Sequence, residues 1–174
     1  MRRLVITFLA VVVLIGSSAG VAVALNAHAH HSVRAGHAAD RFGPAGYRGV
    51  RLRMTRAQAT AAGAHVDHDG KGAACDGFLL PRSKAPENAV DGWLSRKQGV
   101  AFIEAPDRTA TTPEGLHEGA THAQARAAYP HARSYPDFWS VAVPGHPRES
   151  YWWNFQHGRV VTLAIVLDTQ DCVN

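Results

Sequence analysis

The sequence predicts an α+β protein of two tandem repeats, each a short helix packed on a roughly three-stranded antiparallel sheet. Three observations predict it. The stretch TRAQATAAG at residues 55–63 returns as THAQARAAY at 121–129. WLSRKQG at 93–99 returns as WWNFQHG at 152–158, each time a Trp-led strand running into a Gly turn. An apolar strand follows each turn, VAFIEA at 100–105 and RVVTLAIVL at 159–167.

The helices carry the sharper repeat. At an offset of 66, residues 49–63 and 115–129 share seven of fifteen positions, in the frame Gly-x5-Thr-x-Ala-Gln-Ala. Alanine is abundant in the chain, so Gly, Thr and Gln carry most of the weight. Thr55 and Thr121 stand where an N-cap is needed, because a side-chain oxygen there can accept the free N–H groups of the first turn. Gly63 ends the first helix as a C-cap residue would, and Pro130 stops the second. Helices of about two turns do not hold alone in water, so both must pack on something.

The strands supply that partner. Each Trp-led strand, its Gly turn and the apolar strand after it read as a hairpin. FWSVAVP at 138–144 is a further strand before the second hairpin, and CDGFLLP at 75–81 takes its place in the first half. The helix covers one face of the sheet and leaves the other open. The expected organisation is therefore a targeting segment at 1–29, a flexible His-rich linker at 30–46, a first repeat at 47–105, a join at 106–114 and a second repeat at 115–174.

These residues resemble a known pattern. A leading Gly, a helix with the Thr-x-x-Gln frame and an antiparallel sheet resemble the BamE-like lipoproteins of outer-membrane assembly. Two such units in one exported chain resemble the β-lactamase inhibitory proteins. The matching residues are Gly49, Met54, Thr55, Gln58 and Gly63, then Gly115, Gly119, Thr121 and Gln124. Arg53 departs from the frame where the second copy has Gly119. The resemblance implies a binding protein with an open sheet and names no target.

The N-terminus argues for export. MRR is followed by an apolar run at residues 4–25, and both Ala22-Val23-Ala24 and Ala27-His28-Ala29 fit a small-residue cleavage rule. The alternative is an uncleaved membrane anchor, since a run of this length can cross a bilayer. Either way the domain lies outside the cytoplasm, as a secreted protein or tethered with the domain outside. In an oxidising compartment Cys75 and Cys172, the two cysteines of the chain, are expected to pair. With 46% apolar and 18% charged residues, the chain is not wholly disordered. The formal charge of +4 includes Arg2 and Arg3, and the remaining basic residues are scattered, which excludes a nucleic-acid footprint. A monomer without cofactor is expected.

The motifs for chemistry are thin. HEGATH spans His117 to His122, but five-residue spacing turns the second ring about 140° from the first on a helix, unlike H-E-x-x-H. DHDGKG at 67–72 lacks the later ligands of a calcium loop. Ser140 and Ser150 lie in strands with no nucleophile context, which leaves an extracellular hydrolase as one alternative to binding. The other is copper. Cleavage after Ala27 would expose His28-Ala29-His30, whose amine and third-position His suit square-planar Cu(II), with His31 beside them; cleavage after Ala29 would make His30 terminal.

The aromatics argue for binding. Tyr135, Phe138, Trp139, Tyr151, Trp152, Trp153 and Phe155 fall within thirty residues. Alternation on a strand puts Tyr151, Trp153 and Phe155 on one face and Trp152 on the other. One set can fill the core and the rest can anchor a partner. The expected function is non-catalytic binding of a protein or cell-envelope component, with Trp93, Tyr135, Trp139, Tyr151, Trp152 and Trp153 as contact residues and Trp93 equivalent to Trp152.

Overall fold

A computed structural model describes residues 41–67, 74–86 and 89–173. The chain runs α1 (Arg56–Ala61), β1 (His65–Val66), β2 (Cys75–Leu79), β3 (Gly92–Ser95), β4 (Gly99–Glu104), α2 (His122–Ala128), β5 (Arg133–Ser134), β6 (Trp139–Val143), β7 (His146–Gln156) and β8 (Arg159–Leu167). The protein is mostly β. The eight strands of the described residues form one antiparallel sheet in the order β1-β2-β3-β4-β8-β7-β6-β5. Two three-stranded sheets were expected. Instead β4 pairs with β8 through Phe102↔Val166, Ile103↔Ile165 and Glu104↔Ala164. Both strands are apolar, and pairing them removes two open edges. The extra strands β1 and β5 have two residues each, too few for any alternation to show in sequence.

Both helices begin as expected, and the repeated Gln has a reason. Thr55 accepts from Gln58 N at 3.3 Å, and the Gln58 side chain accepts from Thr55 N at 2.9 Å. Thr121 and Gln124 do the same at 3.3 and 2.8 Å. Each copy is a capping box, with Gln at the third helical position. Thr55→Ala and Thr121→Ala are each expected to cost about 1 kcal/mol in urea unfolding, with Thr→Ser nearly neutral.

The residues just before each helix dock it onto the sheet. Arg53 N donates to Val100 O at 2.7 Å, and Val100 N donates to Met54 O at 2.8 Å. In the second half Gly119 N donates to Val160 O at 2.7 Å, and Val160 N donates to Ala120 O at 2.9 Å. This approach needs a left-handed residue, and φ is 67° at Arg53 and 86° at Gly119. Arg53 holds that conformation with its guanidinium paired to the buried Glu149 of β7 at 2.5 Å. Arg53→Ala and Arg53→Gly both lose that pair, but glycine also releases the backbone. Arg53→Gly is therefore expected to be more stable than Arg53→Ala by about 1 kcal/mol, read from the two urea midpoints.

The core lies between the helices and one face of the sheet. Ala59 of α1 and Ala125 of α2 press on it, with Phe78, Leu94, Ile103, Leu163 and Ile165 beneath. Phe42 is fully buried, at 5.6 Å from the Tyr47 ring and 6.3 Å from the Tyr151 ring. The expected linker therefore ends too late. Residues 42–46 belong to the domain, because an aromatic that plugs the core cannot sit in a solvated tether. The join at 106–114 is also packed, with Ala110 and Thr112 buried. Cys75 of β2 and Cys172 lie at disulfide distance, with Cα atoms 5.6 Å apart. Gln98 Nε2 donates to Thr169 O at 2.6 Å, and Thr169 Oγ1 donates to Gln98 Oε1 at 2.7 Å, so the segment after β8 is held against the β3–β4 turn. Among the described residues no helix is long and apolar enough to cross a membrane.

Candidate functional site: the open sheet face

Register decides which aromatics face outward. Trp152 pairs with Ser140 on one side and Ala164 on the other, and Ala164 pairs with Glu104. Glu104, Ala164, Trp152 and Ser140 thus form one row across four strands, on the face away from the helices. The next row holds Trp93, Phe102 and Val166. Phe138, just before β6, stacks on Trp152 at 4.6 Å between ring centroids. Tyr135 stacks on Phe138 at 4.8 Å and is 43% exposed. Phe102 meets Trp152 edge-on at 6.5 Å. The result is a continuous aromatic run from Tyr135 through Phe138 and Trp152 to Phe102.

Three of the expected contact residues do not lie there. Tyr151 and Trp153 are fully buried on the helix side. Trp153 pairs with Leu163 and Tyr151 with Ile165, so the pleat that turns Trp152 outward turns both of them into the core. Trp139 is paired with Trp153 and shares its face. It lies half-buried under α2, with the Arg126 guanidinium 4.4 Å from its ring and the His122 ring 5.9 Å away. Tyr135, Trp152 and Trp93 do belong to the open side. Phe102 and Phe138 were missed as contact residues. Phe102 sits opposite Trp93, a neighbour that only the register reveals.

A groove of about 140 Å³ runs along this face, lined by Phe102, Phe138, Trp152, Asn154, Thr162 and Ala164. Ala164 and Thr162 are small, so the taller rings stand above them as walls. Glu104 extends the Ala164 row at the end of β4. Its carboxyl is held above the ordinary carboxylate range, first by burial and then by the negative charges of Glu118 and Asp91. Glu118 is raised too, by burial in the first place. A carboxyl raised in the folded state subtracts stability above its unfolded value, and that deduction is relieved as pH falls through the folded value. Glu104→Gln is expected to raise the urea midpoint at pH 7, with the advantage gone near about pH 3.5, below the unfolded Glu range.

A larger cleft of about 550 Å³ lies beside α1, lined by Arg53, Arg56, Asp76, Ser95 and Lys97 among others. Arg56 is ion-paired with the buried Asp76, and Arg53 with Glu149, so two of its cations hold the fold together. The other candidates are placed as follows. His117 Nδ1 lies 2.7 Å from Glu118 O in the turn before α2, while His122 stacks on Phe155 at 3.6 Å. Ser150 Oγ donates to Asp168 Oδ1 at 2.7 Å. Cys75, Cys172 and Asp171 cluster, with both sulfurs taken up by the cysteine pair. His28, His30 and His31, the copper candidates, lie outside the described residues, as does most of the 67–72 loop.

No protein-family model matches the sequence, and no curated protein matches it. Among solved structures it is similar to an uncharacterized protein, yfeY, from Escherichia coli, at 11% identity and a TM-score of 0.37, over 60% of this chain and 79% of that one.

Proposed function

We propose that the protein is an exported, non-catalytic binding protein that engages a protein or cell-envelope partner through the open sheet face. The observation that carries this reading is the aromatic run Tyr135–Phe138–Trp152–Phe102 on the side opposite both helices. Rings mutually stacked before a partner arrives lose little freedom on binding, and large aromatics are the usual anchors of an interface. The apolar stretch at residues 4–25 and the Cys75–Cys172 pair support export.

The same reading takes the chain as a tandem duplication similar in architecture to the β-lactamase inhibitory proteins. It is supported by the order helix then four strands, given twice, by the two capping boxes and by the matched docking bonds at Arg53 and Gly119. Trp93 of β3 and Trp152 of β7 then hold equivalent places.

The test is a photo-crosslinking residue at position 152, compared with one at the solvent-facing Ala127 of α2. Each variant is incubated with the secreted and envelope fractions of the source cells. A discrete adduct from position 152 and none from 127 supports the reading. Equal labelling from both positions, or none from either, overturns it.

A further inference from the structure

We infer that the groove beside Trp152 receives an arginine side chain of a protein partner, with the guanidinium against the aromatic walls and its N–H groups directed to Glu104 and Asn154. The inference rests on the sheet face being a binding surface and states the chemistry of what binds there.

Charge comes first. Glu104 lies in the Trp152 row, one strand beyond Ala164, so about two strand spacings, ~10 Å, separate its Cα from that of Trp152. The residue between them is an alanine, 1% exposed, whose short side chain forms part of the groove floor. The groups acting on Glu104 are Glu118 and Asp91, both anionic. Arg108 acts on Glu118, and no cation among the described residues is a cause of the shift at Glu104.

Hydrogen bonding points the same way. Asn154 lines the groove, and its Oδ1 is buried without a partner among the described residues. An acceptor left unmatched costs free energy until a donor reaches it. Thr162, opposite Asn154 on β8, adds a hydroxyl that can accept. The groove thus offers acceptors and π surface together. Ammonium groups satisfy the first demand as a compact, strongly hydrated charge. Guanidinium satisfies both, because it is planar, carries five donors and lies readily on aromatic faces. A phosphate or other anion would meet the charge of Glu104 and is disfavoured.

The test uses a blocked pentapeptide with a central arginine among alanines, and the same peptide with citrulline, which keeps the shape and loses the charge. Two-dimensional NMR of the labelled protein follows the Trp152 indole N–H and the Asn154 and Thr162 amides. The expected result is saturable shifts with arginine, at millimolar affinity, and at least about fivefold weaker binding with citrulline. Glu104→Gln should weaken the arginine peptide to a similar degree; that variant is expected to be more stable than the parent, so misfolding does not confuse the result. Equal binding of both peptides, indifference to Glu104→Gln, or no shifts at about 10 mM peptide would each overturn the inference. Crosslinking at position 152 separates the two claims. An adduct formed while neither peptide binds leaves the binding face intact and removes the arginine. Arginine binding with no adduct keeps the groove and removes the proposed function.

Discussion

Trp153→Ala is expected to destabilise the protein by about 3–5 kcal/mol, whereas Trp152→Ala, one residue away, costs about 1 kcal/mol. Trp153 is 1% exposed and lies between the Tyr129 ring at 5.8 Å and the Trp139 ring at 6.3 Å. Its removal opens a cavity that strands on one side and α2 on the other cannot close. Trp152 touches Phe138 and Phe102 on the open face, and those rings can settle into the space it leaves. The indole N–H of Trp153 has no partner among the described residues. Trp153→Phe removes that unmatched donor along with some apolar area and should cost only about 1 kcal/mol. Urea unfolding of the three variants, with m-values held equal, is the measurement. A larger loss at 152 than at 153 would mean that the pleat is reversed there, and the open face would then have to be redrawn around Tyr151 and Trp153.

How much of this was legible follows from periods and distances. Capping residues act within one helical turn, so Thr55 and Thr121 were visible from local spacing alone. The Gly turns, and the hairpin strands flanking them, were visible for the same reason. Pairing of β4 with β8 joins residues sixty or more positions apart, and no local pattern encodes it. The face of each aromatic was half legible. Alternation separates Trp152 from Tyr151 and Trp153, but it does not say which set is inside. Bulges after Trp93 and after Asn154 then shift the register, so Phe102 could not be set beside Trp152 by counting. Glu104 reads in the sequence as the polar end of an apolar strand. Its place in the Trp152 row exists only once β4, β8 and β7 lie side by side.

Removing the cysteine pair is the other large effect. Cys75 and Cys172 are separated by 97 residues, and the loop they close takes in most of the fold. On the chain-entropy account, opening it lowers stability by about 4–5 kcal/mol, since the unlinked unfolded chain regains that freedom. The Cys75→Ser/Cys172→Ser variant, or the reduced parent, should therefore unfold about 2 M earlier in urea for a slope near about 2 kcal/mol/M. The position of the link adds a second expectation. The halves join along three paired residues of β4 and β8, through the Arg53–Glu149 ion pair, and where Phe42 packs on Tyr151. Cys75 lies on β2, two strands from that seam on one side, and Cys172 follows β8 on the other, so the link spans the seam. Without it, the Gln98–Thr169 and Gln98–Asp171 contacts still tie the C-terminal segment to the β3–β4 turn. A single transition in the reduced protein would show that the continuous sheet and shared core couple the halves unaided. Two transitions, merging into one when the pair is oxidised, would show that the seam is held by the cross-link, and that a partner lying across Phe102 and Trp152 binds on a surface kept flat by it.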